Sequence, residues 1–221
     1  VTRAEPGASS TAERVRALGL DPLVSPVLQV RPLDATIDLG GVTALAFTSG
    51  NAVRAFAARE PNRRLPLFAV GGSTAEAARD AGFTTVESAD GDVADLARRL
   101  AAARPTLVLN PTAAEPSADL TGLLAAQGVA ARAVALYETV PVEPTEALRA
   151  LDSVAVVLVH SPKAGRRLVE LLDADAIARL GFACISEAAA RPLVAAGSGK
   201  AHLAPFPTEA ALLKLLDRSL P

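Results

Sequence analysis

The sequence predicts an α/β protein built on parallel sheets, and three observations carry that expectation. Short β-branched runs alternate with Ala- and Leu-rich stretches of helical length. Most of those stretches open at Ser, Thr or Asp and stop at Gly, the order expected of helix caps. The strand, polar cluster, helix pattern also recurs at offsets between 112 and 116 residues. Strands that alternate with helices need crossover connections, which put helices on the faces of parallel sheets.

Taken in order, Val1-Thr2-Arg3 reads as the end of a first strand. Ser10-Thr11-Ala12-Glu13 reads as a capping box opening a helix that stops near Gly19. Ser73-Thr74-Ala75-Glu76 repeats the device, with a stop at Gly82. Asp92 opens a helix through Leu100, Ser117 one that ends at Gly128, and Thr208-Glu209 the last, through Leu216. Strands are expected at 22–30, 43–48, 66–70, 106–110, 129–137, 154–159 and 182–185.

The repeat gives the domain plan. Phe47-Thr48-Ser49-Gly50-Asn51-Ala52-Val53 matches Val159-His160-Ser161-Pro162-Lys163-Ala164-Gly165. Ala69-Val70-Gly71 and its helix match Cys184-Ile185-Ser186 and the helix to Gly197, and Asp92-Val93-Ala94 matches Thr208-Glu209-Ala210. Residues 1–30 have their counterpart in 106–137, at the other end of the repeat, so the order is permuted. The simplest plan is two parallel-sheet α/β domains: 1–30 with 145–221, and 37–136 alone. The chain then crosses twice, near 31–36 and 137–144, through proline-bearing segments that favour extended backbone. Such a two-stranded connection predicts a hinge and a cleft, with ligands outside the carboxyl ends of the strands.

Composition narrows the function. Half of the residues are hydrophobic, enough for a core in each domain, and the formal charge is −2. A nucleic-acid or membrane-surface binder would normally carry a basic excess. No apolar run approaches the roughly 20 residues that span a bilayer, and no secretory signal is visible, although the chain begins without Met. The single cysteine, Cys184, lies in an apolar run and reads as a buried structural thiol of a reducing compartment. Two distant histidines and one cysteine argue against a dedicated zinc site. A cytoplasmic monomer without cofactor, nucleic-acid partner or membrane partner is expected.

The candidate site residues lie at the strand ends. Thr48-Ser49 and His160-Ser161 each stand where a strand hands over to a helix, and a hydroxyl beside first-turn N–H groups suits an anion. Ser is also a common plain N-cap, and both readings stay open. Gly71-Gly72-Ser73-Thr74 lacks the dinucleotide fingerprint and the phosphate-loop lysine, so a turn that admits a ligand to its backbone fits better. Arg3 can offer a fork of donors to a carboxylate or serve in a surface ion pair. Tyr137, the only tyrosine, is a donor or general acid at neutral pH, or interdomain packing. His160 can titrate or be structural.

The ordered set Val1-Thr2-Arg3, Ser25-Pro26-Val27-Leu28, Phe47 to Val53, Val70-Gly71 with Thr74-Ala75, Leu136-Tyr137-Glu138 and His160-Ser161-Pro162 resembles the uroporphyrinogen-III synthase family over nearly the whole chain. The resemblance implies two α/β domains, no cofactor, and a lyase (hydro-lyase) of porphyrin and haem biosynthesis. It implies hydroxymethylbilane, a linear tetrapyrrole with eight carboxylates, as substrate, cyclised to uroporphyrinogen III with ring D inverted. It further implies Tyr137 as the group assisting loss of the terminal hydroxyl. Arg3, Thr48, Ser49, Asn51, Gly71, Ser73, Thr74, Ser161 and Lys163 are the expected substrate-binding positions. Two stretches depart from the family pattern: Ser186-Glu187-Ala188-Ala189 lacks its Gly and Thr, and 110–116 lacks its Arg/Gly-rich loop. A diverged homologue, or a non-catalytic two-domain protein closing on a small anion, is the alternative. A nucleotide-dependent enzyme is excluded by the missing glycine fingerprint.

Overall fold

A computed structural model describes residues 1–145, 148 and 151–216. The remaining positions of the expected C-terminal segment, 146, 147, 149, 150 and 217–221, lie outside the described residues. The chain divides into two compact units, Val1–Val30 with Val140–Pro221 (unit 1) and Arg31–Thr139 (unit 2).

Unit 2 is a doubly covered parallel sheet. Strands β2 (Ala44–Phe47), β3 (Leu67–Ala69), β4 (Val86–Ser88), β5 (Val108–Ala113) and β6 (Ala131–Pro141) belong to a six-stranded sheet with β1 (Leu28–Pro32), in the order β1-β6-β5-β2-β3-β4. The pairs β2–β3, β2–β5, β3–β4 and β5–β6 are parallel. Alternate side chains face opposite ways along a strand, and the core follows that period. Ala44, Ala46, Phe68 and Val108 pack against Leu96 and Leu100 of α4 (Val93–Ala103) and Leu120 and Leu124 of α5 (Leu120–Ala125). The intervening Phe47 stacks edge-on with Phe56 of α2 (Gly50–Ala57), ring centroids 5.7 Å apart, and Phe83 completes the trio. Helix α3 (Gly72–Asp80) packs on α2. Strands β1 and β6 each run through the unit boundary.

Unit 1 holds a three-stranded parallel sheet, β7 (Val156–Val159), β8 (Gly181–Cys184) and β9 (Ala201–Leu203). Val157, Val159, Phe182 and Cys184 face α6 (Pro162–Leu171), α7 (Ala174–Arg179) and α8 (Glu187–Ala195). Leu158 and Ala183, on the other face, meet Val15 of α1 (Gly7–Ala17) and Leu212 and Leu213 of α9 (Glu209–Leu213). Helices α6 and α8 approach so closely that a Cβ on Gly165 would stand 2.4 Å from the Ala189 carbonyl oxygen. Only glycine fits there.

Several sequence expectations are corrected. Helix α1 starts at Gly7 with no side-chain cap, so Ser10 lies inside it; Glu5 accepts from the Ser9 N–H at 3.0 Å and serves the first turn instead. Ser73 is likewise interior, because Gly71 already takes the extended cap conformation before α3. Asp119, not Ser117, caps α5 by accepting from the Gly122 N–H at 2.9 Å. Of the strand expected at 22–30 only the end is a strand. Ser25 and Val27 instead donate to the Val1 and Thr2 carbonyls, and Val1-Thr2-Arg3 is not itself a strand. Asp92 and Asp95 form the expected cap of α4 as a reciprocal box, and Gly19, Gly82, Gly128 and Gly197 all have positive φ after helices. Strands β4 and β9 and helix α7 had no counterpart in the sequence reading.

Candidate functional site

The C-terminal ends of β2 and β3, with Tyr137 of β6 level with the end of β5, hold most of the unit 2 candidates. After Phe47 the chain turns extended at Ser49 (φ −156°, ψ 151°), which caps α2 by accepting from the Ala52 N–H at 3.1 Å. The same Ser49 Oγ lies 2.8 Å from the Tyr137 hydroxyl. Tyr137 reaches it from β6 just where the β5–β6 register shifts between Thr112 and Ala113, so that Tyr137 pairs with Ala113. An irregularity of this kind re-aims a side chain at a sheet end.

Hydrogen-bond counting shows what the pair can do. Each hydroxyl has one proton and can accept twice. Ser49 already accepts an amide, so its own proton can go to Tyr137, which frees the phenolic proton for a ligand. Burial raises the Tyr137 pKa above its ordinary value, while the Ser49 bond and the Arg54 charge pull it the other way. At neutral pH the phenol is protonated, a donor and not a base.

The next strand adds backbone. Val70 donates to the Phe47 carbonyl at 3.0 Å, so Gly71 follows β3 beside Thr48-Ser49. Gly71 caps α3 without a side chain, and a Cβ at Gly71 or Gly72 would meet nothing within 4 Å. The backbone there is open to a ligand. Thr48 and Asn51 are half-buried, Ser73 is exposed, and Thr74 is buried inside the first turn of α3. Asn51 accepts from Arg54 Nη2 at 2.7 Å. On β5, Asn110 is 4 % exposed and its Oδ1 has no hydrogen-bond partner. Arg54 and Asn110 were not singled out from sequence as site residues. The i, i+3 spacing from Asn51 is the one signal that could have pointed to Arg54.

The remaining candidates lie in unit 1. Ser161 caps α6 by accepting from the Ala164 N–H at 3.1 Å, and Lys163 is half-buried in that first turn. Ser186 caps α8 in the same way, and Glu187 lies 3.7 Å from Arg191. Arg3 does not present an open fork. Its guanidinium is 3.5 Å from Glu209, which also accepts from Arg14 at 2.5 Å and from the Thr11 hydroxyl. His160 Nε2 is 3.9 Å from the same carboxylate, with a side chain only 7 % exposed and neither ring nitrogen hydrogen-bonded. Burial first, then the Arg3 charge, lower its pKa to about 3, so the ring is neutral. Nothing in the sequence signalled this Glu209 cluster, whose members come from opposite ends of the chain. Burial raises the Cys184 thiol to about 12, as suits an inert thiol.

Among the described residues no group of three or more His, Cys, Asp or Glu could hold a metal ion, and no helix is long and apolar enough to cross a membrane. Solved structures resemble this fold. Uroporphyrinogen-III synthetase from Helicobacter pylori matches with a TM-score of 0.70 at 18% identity, over 90% of this chain and 92% of that one. A mutant uroporphyrinogen III synthase from Thermus thermophilus matches with a TM-score of 0.53 at 16% identity, over 99% and 98%. No curated protein matches the chain. The family model described as uroporphyrinogen-III synthase HemD matches residues 9–214. The chain therefore belongs to the uroporphyrinogen-III synthase family and is a lyase of tetrapyrrole biosynthesis.

Proposed function

We propose that the protein cyclises hydroxymethylbilane to uroporphyrinogen III, and that Tyr137 acts on the departing hydroxyl. The observation that carries this is the Ser49–Tyr137 hydroxyl pair, 2.8 Å apart at the end of the unit 2 sheet. The pyrrole nitrogen pushes as the C–O bond of the terminal hydroxymethyl breaks, and a phenol proton delivered there lets the oxygen leave as water. The resulting electrophilic carbon is attacked by the substituted carbon of ring D. The spiro product reopens and recloses with that ring reversed, and loss of a proton restores the pyrrole.

No strong base is required, and Tyr137 is held protonated by burial. What the enzyme must add is a conformation, since the free bilane closes without reversal. That is catalysis by orientation. Thr48, Ser49, Asn51, Gly71, Ser73 and Thr74 from unit 2, with Arg3, Ser161 and Lys163 from unit 1, are the positions assigned to the eight carboxylates. The open backbone at Gly71 and Gly72 supports close approach of an anion. Thr74 is buried and donates its N–H to the Gly71 carbonyl at 3.1 Å, so its contribution is to hold the turn that presents Gly71 and Gly72. Arg3 contributes only if a substrate carboxylate competes with Glu209. Residues 1–30 with 145–221, and 37–136, act as two bodies joined at 31–36 and 137–144, a reading supported by the unit boundaries at 30/31 and 139/140. The buried free thiol of Cys184 supports a reducing, cytoplasmic setting, and the working form is taken as a monomer.

The test supplies hydroxymethylbilane and separates the product isomers. Wild type is expected to yield the reversed isomer well above the spontaneous rate. Thr48→Ala with Ser49→Ala is expected to bind more weakly and release more of the unreversed isomer. A wild-type protein that yields only the unreversed isomer at the spontaneous rate is a diverged homologue, and the reading fails.

A further inference from the structure

We propose that the Glu209 carboxylate is an internal occupant of a carboxylate receptor made by Arg3, Thr11 and Arg14, and that a substrate carboxylate displaces it there. The proposal rests on the reading of the substrate as a polycarboxylate that Arg3 helps to bind. The receptor lies within unit 1 at the carboxyl end of β7, the edge where parallel sheets take ligands. His160 directly follows that strand, and Thr2, next to Arg3, donates its hydroxyl to the Leu158 carbonyl at 2.8 Å.

The donors converge on Glu209 as they would on a ligand. Arg14 Nη1 meets its Oε2 at 2.5 Å, and the Thr11 hydroxyl donates to its Oε1. Arg3 is engaged only loosely. Its Nη1 lies 3.5 Å from Oε2 and 3.4 Å from the Thr11 oxygen, whereas a charge-assisted bond is about 2.7–2.9 Å long. Two guanidiniums thus share one carboxylate, and burial holds the Arg3 pKa below its ordinary value despite Glu209. The guanidinium does not depend on Glu209 for its place. Its Nε, Cζ and Nη2 lie 2.5, 2.8 and 2.9 Å from where a Cβ on Gly7 would stand, so only glycine at position 7 leaves it room.

His160 is an independent sign of a ligand. Its side chain is 7 % exposed, neither ring nitrogen has a hydrogen bond, and Nε2 stops 3.9 Å short of the Glu209 carboxylate. A buried polar group left unpaired costs stability and asks for a partner. A neutral imidazole has one N–H to give. A carboxylate that is not fixed to the backbone of α9 can come within reach of it.

The internal occupant also gives the site a selectivity. Glu209 is tethered, so it competes at an effective concentration on the order of millimolar. A lone carboxylate in solution loses that competition. A substrate already held by its other carboxylates is tethered too, and can make the exchange. Glu209 thereby favours polycarboxylates over simple acids.

The experiment measures citrate binding by calorimetry, and KM for hydroxymethylbilane, in wild type, Glu209→Gln and Glu209→Asp, with circular dichroism to confirm folding. Gln keeps an acceptor for Thr11 and loses the charge, while Asp keeps the charge and withdraws it by one methylene. Glu209→Gln is expected to bind citrate about 10-fold more tightly, the removal of one charge-assisted competitor, and its KM should fall by a similar factor. Glu209→Asp should show part of both gains. Gly7→Ala added to Glu209→Gln displaces the Arg3 guanidinium and should abolish them. A side chain that merely ties α9 to α1 would give no gain in affinity when it is changed. Unchanged or weaker citrate binding in folded Glu209→Gln, or in Glu209→Asp should the Gln variant not fold, overturns the proposal. So does a citrate gain without a fall in KM, which would show a receptor that the substrate does not use. A wild type that makes no reversed isomer sinks the reading of the substrate but leaves the citrate result standing, so the two failures are distinguishable.

Discussion

Ser49 and Ser161 close the same local device in the two units and sit in different chemistry. Each follows a buried parallel strand, takes nearly the same extended backbone (φ −156°, ψ 151° and φ −163°, ψ 156°), and caps a helix three residues on. Beside Ser49, however, stands Tyr137 with a proton to give, and an open glycine backbone. Beside Ser161 stands His160, neutral and without a hydrogen bond, against a carboxylate that three neighbours already hold. The cap is a local property of sequence. Whether a cap becomes a reactive edge is decided by which distant residues the fold brings to it.

If the unit 1 edge is chiefly framework, changes there should appear in stability. Gly165→Ala is expected to have the largest effect, because its Cβ would strike a backbone oxygen that no rotamer can move. A loss of about 3 kcal/mol, at the upper end for overpacking, is expected in urea unfolding. An alanine variant as stable as wild type would mean that α6 and α8 are not so closely packed.

His160 should have a smaller, pH-dependent effect. Its folded pKa of about 3 lies below the unfolded value of 6.5, so unfolding takes up a proton between those limits. The folded state therefore loses stability as pH falls from 6.5 towards 3, by about 2 kcal/mol at about pH 5. His160→Leu lacks that proton uptake. Its stability relative to wild type should improve by that amount between about pH 7 and pH 5, measured by urea midpoints at each pH. A difference that stays flat with pH would show that His160 is not held neutral.

Much of the fold was legible because its signals are local. Asp92, Ser161, Ser186 and Thr208 each reach an N–H two or three residues ahead, a contact that sequence spacing alone encodes. Ser10, Ser73 and Ser117 look the same in sequence, but the helices of the first two have already begun at Gly7 and Gly72, and the third begins later, capped by Asp119. Val86-Glu87-Ser88 and Ala201-His202-Leu203 are three-residue strands at sheet edges, too short and too exposed to show an apolar run. Ser49 and Tyr137 could each be singled out from their motifs. Their contact across 88 residues depends on a register shift that composition does not announce. The grip of Glu209 on Arg3 is hidden for the same reason, since it joins the two ends of the chain.

The most direct test of the difference between the two edges is Tyr137→Phe, which removes one oxygen from a buried ring and leaves the packing in place. Turnover of hydroxymethylbilane should fall on the order of 10²-fold, with KM little changed and the circular dichroism spectrum retained. A folded Tyr137→Phe protein that turns over at the wild-type rate would contradict the account, and would make the hydroxyl pair at the end of the unit 2 sheet a packing contact.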